Sequence, residues 1–144
     1  MFAGAFRPKV DAKGRLAIPK QFRDELAEGS YISIGPEMVL SIYPPDEWLR
    51  LRQILPSPLT ATREQRELSR TVNAYASPCE FDSQGRVTLT QEQRRFANIE
   101  PETAVIVIGN HPVVEIWAEH KWASYSAAAL ANFTDNVNQV TKGI

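Results

Sequence analysis

The sequence has little cysteine and little histidine. Its 144 residues include one cysteine, Cys79, and two histidines, His111 and His120. A single cysteine excludes an internal disulfide and fits a reducing cytoplasm. These three residues are too scattered to make a convincing set of metal ligands, so we expect neither a metal site nor another cofactor.

The sequence also lacks a long hydrophobic run. It contains no stretch of about 18 apolar residues, so we expect no transmembrane helix and no membrane partner. The opening segment MFAGAFRPKV lacks the apolar core of a signal peptide. The composition, 43% hydrophobic and 23% charged, is that of an ordinary globular protein. We therefore expect a cytoplasmic location.

The net charge is small but unevenly distributed. It is −1 at pH 7, yet residues 1–23 carry six basic groups and one acid, for +5, whereas residues 24–144 carry ten basic and sixteen acidic groups, for −6. A basic end on an acidic body can steer an anionic partner, but small solvated basic clusters are also common. Charge alone therefore leaves both interpretations open.

The most informative feature is a motif that occurs twice. VDAKGRLAIP (residues 10–19) and FDSQGRVTLT (residues 81–90) share an Asp-x-x-Gly-Arg core followed by alternating apolar positions. The match extends to Arg23 and Arg94 at the same offset of 71, and continues at an offset of 74 through the second half of each unit. This internal repeat predicts two similar supersecondary units of roughly 45 residues each.

The first half of each unit predicts a turn, a strand and a short helix. In the turn, the aspartate bonds the neighbouring backbone and the glycine supplies a positive φ. Leu16 and Ile18 alternate as in a strand, and Pro19 then begins a helix. In the second unit, Thr90 and Gln93 have the spacing of a capping box and begin the corresponding helix.

The second half of each unit predicts a hairpin and a helix. Alternating segments around Gly-containing turns predict hairpins over 31–43 and 104–117. Asp46 is the expected cap of the first helix, and Trp122 and Tyr125 are the expected inward residues of the second.

A further helix is predicted between the units, over about residues 62–75. Thr62 and Gln65 begin it with a capping box. An apolar stripe runs along it: Leu68, Val72 and Tyr75. The expected divisions are a first unit (5–52), a helical linker (53–76), a second unit (77–125), and a C-terminal helix end and tail (126–144). The polar tail after Phe133 predicts no element.

Size and surface predict association within and between chains. Each unit is too short to form a stable hydrophobic core by itself, so we expect the two units to interleave and share one core. The apolar residues of 104–117 leave surface for a homo-oligomeric contact. A contact between the first unit of one subunit and the second unit of the next is heterologous, and it closes as a ring or continues as a filament.

The two motifs and their spacing resemble the MraZ family. DAKGRLAIPKQFR (11–23) and DSQGRVTLTQEQRR (82–95) carry the resemblance, which covers nearly the whole chain. It implies a mostly β fold with short α-helices, made of two tandem AbrB-like swapped-hairpin β-barrel units that share a pseudo-twofold core. It also implies a ring-shaped, nucleoid-associated bacterial regulator of transcription. The implied target is the promoter of the division and cell-wall gene cluster, which is bound at short direct repeats.

The resemblance implies that Asp-x-x-x-Arg loops contact double-stranded DNA. Arginine suits guanine edges and phosphates, and nearby lysines add charge toward the DNA backbone. The expected DNA-binding residues are Arg7, Lys9, Lys13, Arg15, Gln84 and Arg86. The expected loop-structuring residues are Asp11, Gly14, Asp82 and Gly85. Because residues 80–95 balance three bases with three acids, we expect the first loop to bind phosphate more strongly.

Other interpretations of the same residues remain open. Each arginine has an ion-pair candidate in its own loop, and that aspartate can also hold the arginine in place for DNA. The chain could instead be an oligomeric scaffold that binds a protein through its acidic body. Asp11 and Asp82 could also serve acid–base chemistry, but no convincing nucleophile, phosphate-binding loop or metal cluster accompanies them. We therefore do not expect an enzyme.

Overall fold

The structure is a computed structural model that describes residues 1–26 and 28–142. It is mixed α/β, with a six-stranded antiparallel sheet, a two-stranded antiparallel sheet and several helices. The elements in chain order are β1 (Ala3–Phe6), β2 (Arg15–Ala17), α1 (Lys20–Arg23), β3 (Tyr31–Gly35), β4 (Val39–Tyr43), α2 (Pro45–Ile54), α3 (Arg63–Ala74), β5 (Ser77–Pro78), β6 (Arg86–Thr88), α4 (Gln91–Ala97), β7 (Val105–Asn110), β8 (Val113–Ala118), α5 (Glu119–Ala131) and α6 (Phe133–Val140).

The centre of the six-stranded sheet joins the two repeats. Its order is β1-β7-β8-β4-β3-β5, so the two predicted hairpins, β3–β4 and β7–β8, are both confirmed and lie side by side. They meet where Leu40 pairs with Ile116 and Ile42 pairs with Val114. All four side chains are fully buried, so this junction is also the centre of the core.

The outer strands of the sheet cross between the repeats. β1 precedes the first motif but pairs with β7 of the second repeat, with Ala3 opposite Asn110. β5 precedes the second motif but pairs with β3 of the first repeat, with Ile32 opposite Ser77. Each repeat therefore completes its hairpin sheet with a strand that leads into the other repeat.

Both faces of the six-stranded sheet are covered by apolar clusters, because successive apolar side chains along its strands point to opposite faces. The main core lies on one face, and its largest fully buried apolar side chains are Leu16, Ile18, Phe22, Ile32, Leu40, Ile42, Leu89 and Ile116. A smaller cluster on the opposite face contains Val39, Ile106 and Trp117. Trp122 of α5 packs on this cluster with its ring centroid 5.1 Å from that of Trp117.

Two of the predicted helix starts are confirmed and one is wrong. Thr62 and Thr90 both form complete capping boxes, at the starts of α3 and α4. Asp46 does not cap α2, whose cap is Pro44. The reason is that Pro45 occupies the first helical position, where a missing N–H costs nothing. Asp46 instead lies in the first turn, where its charge favours the helix dipole.

Leu68 of the predicted apolar stripe and Tyr125, which the sequence predicts to face inward, are both exposed. Leu68 is 51% exposed, because α3 reaches the core through Val72, which lies one turn later. Tyr125 is 42% exposed, because α5 packs on the smaller apolar cluster and Tyr125 contacts the edge of that cluster beside Trp117.

Three elements were not predicted from the sequence: the strands β1 and β5 and the helix α6. β1 is a four-residue strand that includes a glycine, and it forms through a pairing partner more than 100 residues away. α6 begins at Phe133, in the segment left without an assignment. Residues 143 and 144 of the expected tail lie outside the described residues.

The close approach of β1 to Gly109 generates a stability prediction. A Cβ atom on Gly109 would lie 2.4 Å from the backbone nitrogen of Ala3 and 2.8 Å from the backbone carbonyl carbon of Phe2. Gly109→Ala should therefore displace β1 and lower the free energy of unfolding by about 1–3 kcal/mol. Unfolding in guanidinium chloride measures this loss.

The matched control for this prediction is Gly35→Ala in the other hairpin. There the nearest atom to the added methyl is the Oγ of Ser41, at 2.7 Å, in a side chain that can rotate away. We expect a smaller loss of stability than in Gly109→Ala. Equal losses in the two variants would contradict the importance of the β1 crossing.

Candidate nucleic-acid interface

The two motifs form turns of the same shape, loop 1 (residues 11–15) and loop 2 (residues 82–86). In loop 1, the N–H of Asp11 donates to the carbonyl of Arg15 at 2.9 Å, and the N–H of Gly14 donates to the carbonyl of Asp11 at 3.1 Å. Loop 2 repeats both bonds, at 2.9 and 3.0 Å. Gly14 and Gly85 have φ values of +81° and +75°, a backbone conformation that residues with a side chain rarely adopt.

The carboxylate of Asp11 organises loop 1. Its Oδ1 accepts hydrogen bonds from the backbone N–H groups of Lys13, at 2.9 Å, and Arg15, at 2.8 Å. Its Oδ2 accepts a hydrogen bond from the Nε of Arg15 at 2.6 Å. One side chain therefore fixes both the backbone of the turn and the orientation of the arginine that follows it.

Loop 2 uses the same arrangement with different residues. The Oδ1 of Asp82 accepts from the backbone N–H groups of Gln84 and Arg86, both at 2.9 Å. Its Oδ2 accepts from the Nε of Arg86, also at 2.9 Å. The two turns therefore share one set of hydrogen bonds, in which a single aspartate accepts from two backbone N–H groups and one arginine Nε.

These hydrogen bonds lower the pKa of both aspartates. The largest cause is the backbone N–H of Arg15 for Asp11 and the backbone N–H of Arg86 for Asp82. Hydrogen bonds from the arginine side chains lower the pKa values further. Because each N–H donates to the carboxylate, the charged aspartate is the form that holds the turn.

The two loops lie beside each other because β2 pairs with β6. Leu16 is opposite Val87 in this ladder, and both side chains are buried. Alternation therefore places the neighbouring positions on the opposite, outer face. The outer-face residues are Arg15, Ala17, Arg86 and Thr88. We refer to residues 11–17 and 82–88 together as the two-loop ribbon.

The arginines of the two-loop ribbon are close together and partly solvent-exposed. The Nη1 of Arg86 lies 3.6 Å from the Oδ2 of Asp11, so it joins the ion pair of the other loop. The exposed fractions are 34% for the side chain of Arg15 and 25% for that of Arg86. Within the described residues, the Nη groups of Arg15 form no hydrogen bond and remain available as donors.

The other predicted DNA-binding residues have different surroundings. Lys13 and Gln84 occupy matching positions in the two loops, and both are exposed. Lys9 is exposed where the chain enters loop 1. Arg7 forms an ion pair with Glu119 at the start of α5.

Sequence reasoning missed two arginines that contact the loop glycines. A Cβ atom on Gly85 would lie 2.3 Å from the Nη1 of Arg23, and one on Gly14 would lie 3.0 Å from the Nε of Arg94. The available signal was the match between Arg23 and Arg94 at the offset of the motif. That match does not reveal which loop each arginine contacts.

The pKa shifts of Asp11, Asp82 and Cys79 do not favour a general acid or a nucleophile. The lowered pKa values of Asp11 and Asp82 are opposite to what a general acid at neutral pH needs. Burial raises the pKa of the Cys79 thiol to about 12, so it is a poor nucleophile.

Within residues 1–26 and 28–142, no group of three or more His, Cys, Asp or Glu side chains is placed to hold a metal ion. In the same part of the chain, no helix has the length and apolar character needed to cross a membrane.

The aspartate pKa values generate a pH prediction. Both lie below the ordinary value of 3.8, so the stabilisation they provide is complete above that pH and is lost as the pH falls through the folded-state values. NMR titration of the carboxyl carbons should give midpoints below 3.8 for Asp11 and Asp82.

The Arg15→Ala variant separates the causes of the shift in Asp11. It removes the guanidinium but keeps the backbone N–H, so the midpoint should rise and still remain below 3.8. Lys13→Ala is the matched control, because it removes a charge from the same loop and keeps the N–H that bonds Asp11. An Asp11 midpoint at or above 3.8 in the unmodified protein would contradict the hydrogen-bond assignment.

Comparison with known proteins identifies one family across both halves of the chain. A sequence model of the MraZ family, described as "MraZ protein, putative antitoxin-like", matches residues 1–70 and 73–142. A protein of Corynebacterium jeikeium named "Transcriptional regulator MraZ" is 36% identical over 140 residues, which cover 97% of this chain and 96% of that protein.

Two further relatives carry the same name. The protein of Mycolicibacterium smegmatis is 34% identical over 144 residues, which cover 100% of this chain and 99% of that protein. The protein of Corynebacterium kroppenstedtii is 39% identical over 127 residues, which cover 88% of this chain and 87% of that protein. The chain therefore belongs to the MraZ family, which comprises transcriptional regulators and not enzymes.

Proposed function

We propose that this chain regulates transcription by binding double-stranded DNA through the two-loop ribbon. The observation that carries the proposal is the placement of Arg15 and Arg86, one from each repeat, on the outer face of a single antiparallel pair of strands. The major groove of B-DNA admits a two-stranded ribbon, and arginine forks suit the O6 and N7 acceptors of guanine.

The aspartates prepare the arginines for binding. Asp11 and Asp82 each engage the Nε of their own arginine, so the orientation of each guanidinium is fixed before DNA arrives. A side chain that is already ordered loses less conformational entropy on binding. The ion pair and the DNA contact are therefore compatible roles of the same arginine.

The remaining residues of the proposed site supply contacts to the DNA backbone. Lys13 and Lys9 are exposed on the loop 1 side, and Arg7 joins them if it exchanges Glu119 for a phosphate. Loop 2 has the uncharged Gln84 at the position of Lys13. Loop 1 therefore contributes more of the electrostatic attraction, while both loops contribute an arginine.

The proposed architecture is a pair of AbrB-like units of the swapped-hairpin β-barrel class. The divisions are a first unit (5–52), a helical linker (53–76), a second unit (77–125), and a C-terminal helix end and tail (126–144). The pairings of β1 with β7 and of β5 with β3 support this architecture, because they exchange strands between the units. The β2–β6 and β4–β8 pairings support a pseudo-twofold core.

The proposed assembly is a ring of identical chains. The apolar residues of 104–117 are not the surface for this contact as expected, because most are buried within the chain: Val105, Ile106, Val107, Val114, Ile116 and Trp117. Exposed apolar side chains on α5 and α6 instead recur at intervals of three, four and three residues and support a subunit contact: Leu130, Phe133, Val137 and Val140. One ribbon offers few DNA contacts, so useful affinity requires several ribbons on repeated sites. Direct repeats spaced near one helical turn of DNA suit a ring that presents copies of one ribbon.

The proposed target is the promoter of the division and cell-wall gene cluster, which the family resemblance implies. A protein that works there is cytoplasmic and associated with the nucleoid. The names of the relatives support a role in transcription, and the two-loop ribbon supports DNA as the partner.

Arg15→Ala tests the proposed DNA contact. It removes the guanidinium donors of Arg15 and should weaken binding to the DNA upstream of the chain's own gene by at least about fivefold, since one specific arginine contact contributes roughly 1–3 kcal/mol. Fluorescence anisotropy against native and scrambled duplexes measures this effect. Arg63→Ala is the matched control, because Arg63 is an exposed arginine of α3 that pairs with acidic neighbours on the same helix.

Salt dependence tests the proposed phosphate contacts. The logarithm of the affinity should fall with the logarithm of salt concentration, with a slope of about −0.9 for each phosphate neutralised. An affinity that does not change with salt concentration would contradict the assignment of Lys9 and Lys13 as phosphate contacts. If the oligomer persists but binds neither native nor scrambled DNA, the proposal fails and a protein-binding scaffold becomes the better interpretation.

A further inference from the structure

The guanidinium of Arg23 lies directly against the glycine of loop 2. A Cβ atom on Gly85 would lie 2.3 Å from the Nη1, 2.6 Å from the Cζ and 2.9 Å from the Nε of Arg23, so the guanidinium fills the space that a side chain would take. The same Nη1 donates to the carbonyl of Ile18 at 2.8 Å. The N–H of Ile18 in turn donates to the carbonyl of Gly85 at 3.2 Å. Arg23, Ile18 and Gly85 are therefore each in contact with the other two.

Arg94 has the equivalent place beneath loop 1. A Cβ atom on Gly14 would lie 3.0 Å from the Nε and 3.1 Å from the Cζ of Arg94. The N–H of Leu89 donates to the carbonyl of Gly14 at 2.9 Å, as Ile18 does for Gly85. The Nε of Arg94 is buried and has no hydrogen-bond partner among the described residues. A buried donor without a partner costs stability, so the packing of this guanidinium against Gly14 has to offset that cost.

The two contacts run crosswise between the repeats. Arg23 belongs to α1 of the first repeat but contacts loop 2, whereas Arg94 belongs to α4 of the second repeat but contacts loop 1. We propose that Arg23 and Arg94 are positioning residues, each of which holds the loop of the opposite repeat in its DNA-binding shape. The consequence for DNA rests on the proposed function, whereas the effect on loop order does not.

The planar shape of arginine explains its use at these positions. A guanidinium is flat and can lie against a glycine backbone, whereas the ammonium group of lysine is a compact, strongly hydrated charge. Glycine is required on the loop side for its positive φ and for the close approach. The two arginines also carry charge close to the proposed DNA-binding surface, so the test must separate positioning from charge.

Amide hydrogen exchange tests the crosswise positioning. In Arg94→Met, the protected amides of Lys13 and Arg15 should exchange roughly tenfold faster, as expected for the loss of about one good contact, while loop 2 keeps its rates. Arg23→Met should show the reverse pattern, with faster exchange in loop 2 alone. Arg95→Met is the matched control, because Arg95 is the exposed neighbour of Arg94 on α4.

The pattern of exchange decides between positioning and general destabilisation. Faster exchange in both loops equally, or only in the loop of the mutated repeat, would overturn the proposal. Arg94→Lys provides a milder variant if Arg94→Met folds poorly, because it keeps the charge and most of the side-chain volume. It should still loosen loop 1, since it lacks the planar group.

DNA binding supplies the second readout. Arg94→Met and Arg94→Lys should both bind the native duplex roughly tenfold more weakly with an unchanged salt slope, because Arg94 positions a loop and does not neutralise a phosphate. Full affinity in Arg94→Lys would show that charge is sufficient and would overturn positioning. The third possible outcome is that each variant speeds amide exchange in the loop of the opposite repeat, but the protein binds no DNA. That result would support positioning and contradict only the proposed function.

Discussion

The pairing of β2 with β6 is the contact on which the candidate DNA-binding surface depends. It buries Leu16 against Val87 on one side and presents one arginine from each repeat on the other. The N–H groups that follow each strand extend the pairing, since Ile18 donates to the carbonyl of Gly85 and Leu89 donates to that of Gly14. The same two repeats meet again at β4 and β8. A single chain thereby builds a paired surface from two copies of one motif.

The loops are ordered by local hydrogen bonds and by contacts from the other repeat. Within each loop, one aspartate accepts two backbone N–H groups and one arginine Nε. From outside each loop, an arginine of the opposite repeat lies against the glycine. Both arrangements are made by residues of this chain alone, which is the condition for the preorganised donors that the proposed function requires. Such preorganisation lowers the entropic cost of recognition.

The parts of the fold that follow from local chemistry could be predicted from the sequence. The Asp-x-x-Gly-Arg turns, both hairpins and the capping boxes of Thr62 and Thr90 each depend on residues a few positions apart. The crossing of β1 could not be predicted in this way, because it depends on the bare backbone of Gly109. The contacts of Arg23 and Arg94 with the loops of the opposite repeats could not be predicted for a related reason. Two copies of a motif predict the same local shape, but they do not show which copy contacts which.

The most direct test of this account follows the Nε–Hε NMR signals of Arg15 and Arg86 during titration with DNA. The duplex is the one upstream of the chain's own gene, and a scrambled duplex serves as the comparison. If the two-loop ribbon is the DNA-binding surface, both signals shift together with the native duplex and shift less with the scrambled one. Binding of the native duplex with both signals unmoved would contradict the account, because the contact would then lie elsewhere on the chain.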